Sequence, residues 1–390
     1  MPRGLAVCVR PLAERLADQR FVICLLTVTP ITGLAGGRLR SAGASKHSVG
    51  AAAVPPEPSA LLPWMHEHIP GFRGPLAVQS LTGGQSNPTF KLTAVSGSYV
   101  LRRKPFGNLL PSAHAVEREY RVIRALQGSA VPVPAVHGLC EDSTVVGSPF
   151  YVMDFVPGRI FWNQLLPGVP RLERAQLFDA MNGTIAALHA IDPAACGLED
   201  FGRPTGYLER QIARWTKQYH ASVLEPVEEM DRLAEWLGRN LPQEVGGRIV
   251  HGDFKIDNLI FHSTEPRVVA VLDWELSTIG DALADFAFHA MAWRLAPDLF
   301  RGWAGLDLRA LGIPSESEYV REYARRLGRP DVPHWRFYLV FSMFRLAAIL
   351  LGIAKRADNG TAADRDAAAV GSKGRPVAQA AWRLAKSTDP

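Results

Sequence analysis

The stretch that most limits how this chain can fold is His251-Gly252-Asp253-Phe254-Lys255-Ile256-Asp257-Asn258. Short apolar runs bracket it. Ile249-Val250 comes before, Leu259-Ile260-Phe261 comes after, and a third run, Val268 to Leu272, ends on Asp273-Trp274-Glu275. Runs this short and β-rich read as strands holding a polar loop. Asp253, Asp257 and Asn258 are each ordinary turn formers, and turn chemistry explains any one of them alone. It does not explain the composite, an HxDxxxxN spacing followed by a strand-borne carboxylate 15 residues after Asn258.

Upstream, the pattern is that of a sheet. Val78 leads into Leu81-Thr82-Gly83-Gly84-Gln85-Ser86-Asn87, Phe90 to Thr93 alternates, and Tyr99 to Arg102 follows a Ser-Gly-Ser turn. Ser112 to Gln127 has apolar residues at helical spacing and stops at Gly128. Phe150 to Met153 reads as a buried strand running into Val156-Pro157-Gly158. Beyond it Arg171–His189, Tyr207–His220 and Met230–Leu237 are amphipathic at helical spacing. The expectation is an α+β chain with a β-rich lobe over 58–155 and a mostly helical lobe over 156–390.

Residues 1–57 differ. They are rich in Arg, Ala, Gly and Ser and poor in acids, and end on Pro55 and Pro56. Such a stretch cannot bury a core and reads as a disordered or targeting extension. A cytoplasmic location is expected, or a mitochondrial one if the stretch is a transit peptide. The apolar run Phe337 to Ala354 carries Arg345 at its middle. A charge there costs roughly 3 kcal/mol at a bilayer centre, so the run reads as a buried helix and no membrane partner is expected. The net charge of +5 over 390 residues, without a dense basic run, points away from nucleic acid. The four cysteines form no CxxC pair or Cys/His cluster, which argues against structural zinc.

The loop residues suit phosphoryl transfer. That reaction needs a carboxylate to orient a hydroxyl and take its proton, and oxygen ligands that hold Mg²⁺ on the phosphates of ATP. Asp253 is the candidate base, and Asn258 and Asp273 are the candidate metal ligands. Gly83-Gly84 alone is a hairpin turn. With Gln85, Ser86 and Asn87 it also offers N–H groups and small polar side chains to phosphate. It is not a Walker A loop, since no GK[ST] follows.

HGDFKIDNLIF with VLDWE resembles the aminoglycoside-phosphotransferase and choline-kinase-like superfamily, a branch of the two-lobed protein-kinase-like fold. The likeness spans about Leu76 to Ala354. Thr82 to Phe90, Leu110 to His114 and Leu272 to Thr278 further resemble the phosphotransferase domain that precedes the dehydrogenase in some acyl-CoA dehydrogenase family proteins. The resemblance implies the roles given above for Asp253, Asn258 and Asp273, and places Gly83–Asn87 over ATP. It makes His251 a brace of the loop, and Asp281 and Asp285 a helix cap tied to that loop. Where such folds carry a strand Lys, this chain has Arg102, with Glu119 as its expected partner and Glu117 as the alternative. Met153 and Phe155 fall on the expected adenine hinge.

A small-molecule hydroxyl is the expected acceptor. The subgroup suggests a hydroxyacyl-CoA and a functional link to an acyl-CoA dehydrogenase; aminoglycosides and choline-like alcohols are the wider options. Arg210, Arg214 and Lys217 share a helix face and are candidate CoA contacts, with Trp215 and Tyr219 either stacking on adenine or filling the core. A nucleotide-binding pseudokinase would have lost one of the three loop residues. A protein kinase would carry the Gly of a DFG switch and an APE-like segment, and neither is present.

Overall fold

A computed structural model describes residues 54–81, 87–106, 115–244, 246–362 and 366–387. Of the expected features, residues 1–53, Thr82 to Ser86 and Leu110 to His114 lie outside that set.

The alternating runs near the N-terminus form an antiparallel sheet of β1 (Ala77–Ser80), β2 (Thr89–Ala94), β3 (Gly97–Arg103), β4 (Val136–Cys140) and β5 (Phe150–Asp154), ordered β1-β2-β3-β5-β4. Successive side chains on a strand point to opposite faces. On one face Phe90, Leu92, Leu101, Phe150 and Val152 pack with Leu61, Trp64 and Met65 of α1 (Pro58–His68). α1 is not among the expected elements, because the prolines around Pro58 read as a linker. On the other face Val100, Tyr151 and Met153 join Val122, Ile123 and Leu126 of α2 (Val116–Leu126) in a core continuous with the helical lobe. Glu119, from the same helix, is also fully buried on that side.

The helical lobe holds α3 (Arg171–Ala190), α4 (Tyr207–Ser222) and α5 (Glu228–Arg239). Two small antiparallel pairs follow. β6 (Arg248–Val250) pairs with β9 (Thr278–Gly280), and β7 (Leu259–Phe261) pairs with β8 (Val268–Val271). Next come α6 (Ala282–Ala290), α7 (Glu316–Arg326), α8 (Trp335–Asp358) and α9 (Gly374–Lys386). α8 is long and apolar enough to span a bilayer, yet 89% of its most apolar window is buried against α4, α6 and α9. It is the core helix of the lobe, as the charge at Arg345 implied.

The connector between the lobes is pinned to the helical lobe. Arg159 exchanges two backbone hydrogen bonds with Phe261, at 2.8 and 2.9 Å. A side chain at Gly158 would come within 2.3 Å of the Phe261 carbonyl, so this approach requires glycine.

Candidate active site

The loop between β6 and β7 is shaped by backbone anchoring. Gly252 has φ +83°, and a Cβ there would meet the Leu276 carbonyl at 2.8 Å. Asp285 accepts from the His251 and Gly252 amides, each at 2.8 Å, and pairs with His189 Nε2 at 3.2 Å. Burial alone would raise the pKa of Asp285, but His189, His251 and these amides bring it below the usual value. Asp281 caps α6 by accepting from the Leu283 and Ala284 amides. The Asp253 amide donates to His251 Nδ1 at 3.2 Å, so the ring proton sits on Nε2 and is donated to Leu272 O at 2.9 Å. His251 therefore braces Asp253 against the strand that carries Asp273.

Asp253 is buried. Its Oδ2 accepts from Lys255 Nζ at 2.7 Å and from Asn258 Nδ2 at 3.2 Å. Burial raises its pKa, and Lys255 offsets only part of that rise. Burial works against the Lys255 ammonium too, yet Asp253 and Asp257 raise its pKa. Because the Asn258 amide NH₂ is spent on Asp253, its Oδ1 is turned the other way. Leu272 N donates to Asn258 O at 2.8 Å, which brings Asp273 alongside. Asp273 sits in the left-handed region, φ +67°, a strained setting for a non-glycine residue.

Arg102 joins the lobes. Its Nη2 donates to Asp273 Oδ1 at 2.7 Å, and its Nε lies 2.9 Å from Glu119 Oε2, a charge contact without hydrogen-bond alignment. Glu119 is thus the partner that the sequence favoured over Glu117, and Glu275 stands 3.9 Å from the same guanidinium. Two carboxylates share one cation, and their environments push their pKa values apart. Burial drives Glu119 up to about 8, aided by the charges of Asp273 and Glu275. Asp273 is half-buried, which works against its charge, but Arg102 outweighs that and brings its pKa down.

Some expectations need correction. Asn87, read as a phosphate-facing residue, is fully buried, and its Nδ2 donates to Glu119 Oε2 at 3.4 Å. A carboxyl buried that deeply draws in the nearest donor. Gly83, Gly84, Gln85 and Ser86 lie outside the described residues. Met153 faces Val100 across the strands on the cleft side, and Lys91 Nζ stands 4.1 Å over the Phe155 ring. The Asp154 and Phe155 amides donate to Ala135 O and Ser98 O. The first N–H of the connector beyond these two is that of Val156. Trp215 and Tyr219 are 1% exposed and fill the core. Arg210 is turned onto the carbonyls of Arg203 and Thr205 beside its own helix start.

Sequence reasoning missed four residues that the fold brings to the site. Lys255 was visible only as a cation two positions after Asp253. Arg301 grips Asp257 at 3.1 and 3.2 Å and reaches Trp162 O at 2.9 Å. Arg345 reaches from α8 to Gly252 O at 2.8 Å. The lone charge in an apolar run was its signal. Glu275 gave none beyond its place in the motif.

Among the described residues no group of three or more His, Cys, Asp or Glu could hold a metal. One carboxylate and one amide oxygen fit Mg²⁺, which keeps water and substrate phosphates as its other ligands. The sequence profile of the phosphotransferase enzyme family matches residues 77–338. The chain belongs to that family. A Ralstonia eutropha structure, itself provisionally assigned as an aminoglycoside phosphotransferase, is 51% identical, with a TM-score of 0.79 over 85% of this chain and 98% of that one. A ternary complex of aminoglycoside phosphotransferase APH(4)-Ia with AMP-PNP and hygromycin B shares the fold at 18% identity and TM-score 0.53, over 82% and 97%. Mouse acyl-CoA dehydrogenase family member 10 is 44% identical over 80% of this chain, which spans 29% of that relative's length. The expected kinase-like α+β fold and family are thereby established.

Proposed function

We propose that this phosphotransferase moves the γ-phosphoryl group of ATP to a hydroxyl of a small molecule, most favourably a hydroxyacyl-CoA. The observation that carries the reading is the meeting of Asp253, Asn258, Lys255, Asp273 and Arg102 from two lobes around one cleft. Asp253 orients the acceptor hydroxyl and takes its proton; its raised pKa makes it a better base than a solvated aspartate. Lys255, bridged to it, offers positive charge to the phosphoryl group in flight. Arg102 turns from Asp273 toward the phosphates as nucleotide enters. Asn258 Oδ1 and Asp273 would hold Mg²⁺, which when bound neutralises phosphate charge.

The space beside Asp253 supports this choice of acceptor class. A cavity of about 60 Å³ is lined by apolar side chains including Phe178, Met181, Phe288 and Trp303, with Lys255 and Arg301 as its cations. Its acid, Asp253, is paired with Lys255. A polycationic aminoglycoside would need unpaired carboxylates there, whereas an acyl chain carrying a hydroxyl suits apolar walls. The names of the full-length relatives support a link with an acyl-CoA dehydrogenase. The test is ATP consumption against hydroxyacyl-CoAs, amino alcohols and aminoglycosides with Mg²⁺ present and chelated. Turnover should appear with hydroxyacyl-CoAs, need the metal, and fall at least a hundredfold in Asp253→Asn. Turnover of aminoglycosides alone would refute the acceptor, and an active Asp253→Asn would refute the base.

A further inference from the structure

Only part of the candidate CoA stripe on α4 is available to a ligand. Arg210 is spent on backbone carbonyls. The next positions along α4 face α8, and there the two helices build a donor-rich seam. Arg214 from α4 and Arg345 from α8 approach the same Trp215 ring, with guanidinium carbons 5.4 and 5.6 Å from its centre. One turn beyond Arg214, Gln218 Nε2, the Ser222 hydroxyl and Arg356 Nη1 all lie beside Gly352. They lie 4.0, 3.5 and 3.7 Å from where a Cβ would stand on that glycine. Arg345 and Arg356 are eleven residues apart, so the seam runs roughly 16 Å along α8.

Its charge balance is unusual. Arg345 is 8% exposed and its Nε has no hydrogen-bond partner. Arg214 reaches solvent, yet partial burial and then the charge of Arg345 lower its pKa. Arg356 is lowered by burial, and no acid among the described residues offsets that. The acids nearest the inner end are occupied. Asp281 caps α6 and accepts from Tyr338, while Asp285 holds the catalytic loop. Partly desolvated cations without carboxylate partners are costly, and an anion that brings its own charge offsets that cost. The inner end is tied by Arg345 to Gly252 O, the residue before Asp253, and the same guanidinium lies 4.2 Å from the ring centre of Phe288, which lines the cavity beside Asp253.

We propose that the seam between α4 and α8, with Arg214 and Arg356 as its accessible cations and Gln218 between them, binds the phosphate groups of a CoA-bearing acceptor. It is an anion site separate from the ATP cleft. Forked guanidinium donors match phosphate oxygens in pairs, which suits a pyrophosphate better than a lone carboxylate. The site rests on the hydroxyacyl-CoA reading only for the choice of CoA as ligand.

The test is direct binding of CoA by calorimetry with saturating AMP-PNP present, so that CoA cannot be read through the nucleotide cleft. Wild type should bind CoA under these conditions. Arg214→Ala/Arg356→Ala should weaken binding at least tenfold, and Arg214→Lys/Arg356→Lys should recover part of it. AMP-PNP affinity should not change in either. Should the double Ala variant not fold, Arg356→Ala alone, on the outer turn, carries the test. Inorganic pyrophosphate and a hydroxy acid without CoA are the two control ligands. Pyrophosphate competing with CoA supports phosphate recognition, and the free acid competing equally well overturns it. Displacement of CoA by AMP-PNP, or unchanged CoA affinity in the double Ala variant, overturns the site. CoA bound in this way by a protein that phosphorylates no hydroxyacyl-CoA would sustain the seam and refute the acceptor, so the two failures are distinct.

Discussion

Replacing Arg102 by Met separates its stabilising role from its nucleotide role. The wild-type guanidinium is 11% exposed and sits 2.9 Å from Glu119, whose side chain is 1% exposed, and 2.7 Å from Asp273. Removing one member of a buried pair costs about 3–5 kcal/mol, because the other charge is left without a partner. Two features place this case near the lower figure. Burial already pushes the Glu119 pKa up to about 8, and losing the opposing Arg102 charge favours the neutral carboxyl further, so little unpaired charge is left at neutral pH. Asp273, with a quarter of its side chain exposed, can recover water. The expected loss for Arg102→Met is therefore about 3 kcal/mol, read as a shift in urea midpoint at constant slope. Arg102→Met/Glu119→Leu replaces both partners by apolar groups of similar size and should regain most of that loss. ATP-analogue affinity, measured by equilibrium dialysis, should stay at least tenfold down in both variants. A single variant that loses under about 1 kcal/mol, or a double variant no more stable than the single, would refute the buried-pair reasoning. Full ATP affinity in the double variant would remove Arg102 from the phosphate site.

Two further outcomes follow from the same geometry. Gly252→Ala should lose about 2 kcal/mol or more and most of the turnover, since its φ of +83° and the 2.8 Å approach to Leu276 O leave no room for a methyl group; an active variant of wild-type stability would show that the loop relaxes freely. His289 is buried, and burial lowers its pKa to about 4, so below about 6.5 the unfolded chain binds a proton that the folded one refuses. Stability should therefore fall by up to about 3 kcal/mol as pH drops from 6.5 to 4, and His289→Gln should flatten that slope relative to wild type in pH-dependent urea unfolding.

The sequence by itself determined the chemistry-bearing loop and the order of the two lobes. Asp253, Asn258 and Asp273 were legible because strand, polar loop and strand follow one another locally, and local patterns survive in a linear chain. The alternation over Phe90 to Thr93 and Tyr99 to Arg102 marked β2 and β3 for the same reason, as did the helical spacing of Arg171–His189. Tertiary structure decided what depends on distance. Glu119 rather than Glu117 met Arg102 because helix phase turned it inward against the sheet, and the pairing with Asp273 crosses 171 residues of chain. Asn87 turned from phosphate to carboxyl once Glu119 was buried beside it. Trp215 became core while Arg214, one residue earlier, stayed at the rim, a distinction made only when α8 packed against α4. Arg345 was legible as a charge out of place, but that it would hold the Gly252 carbonyl was not. A sequence records which groups a chain owns; which buried charge lies within reach of which partner is set by packing, and that is what joins Arg102, Lys255 and Arg345 to the loop.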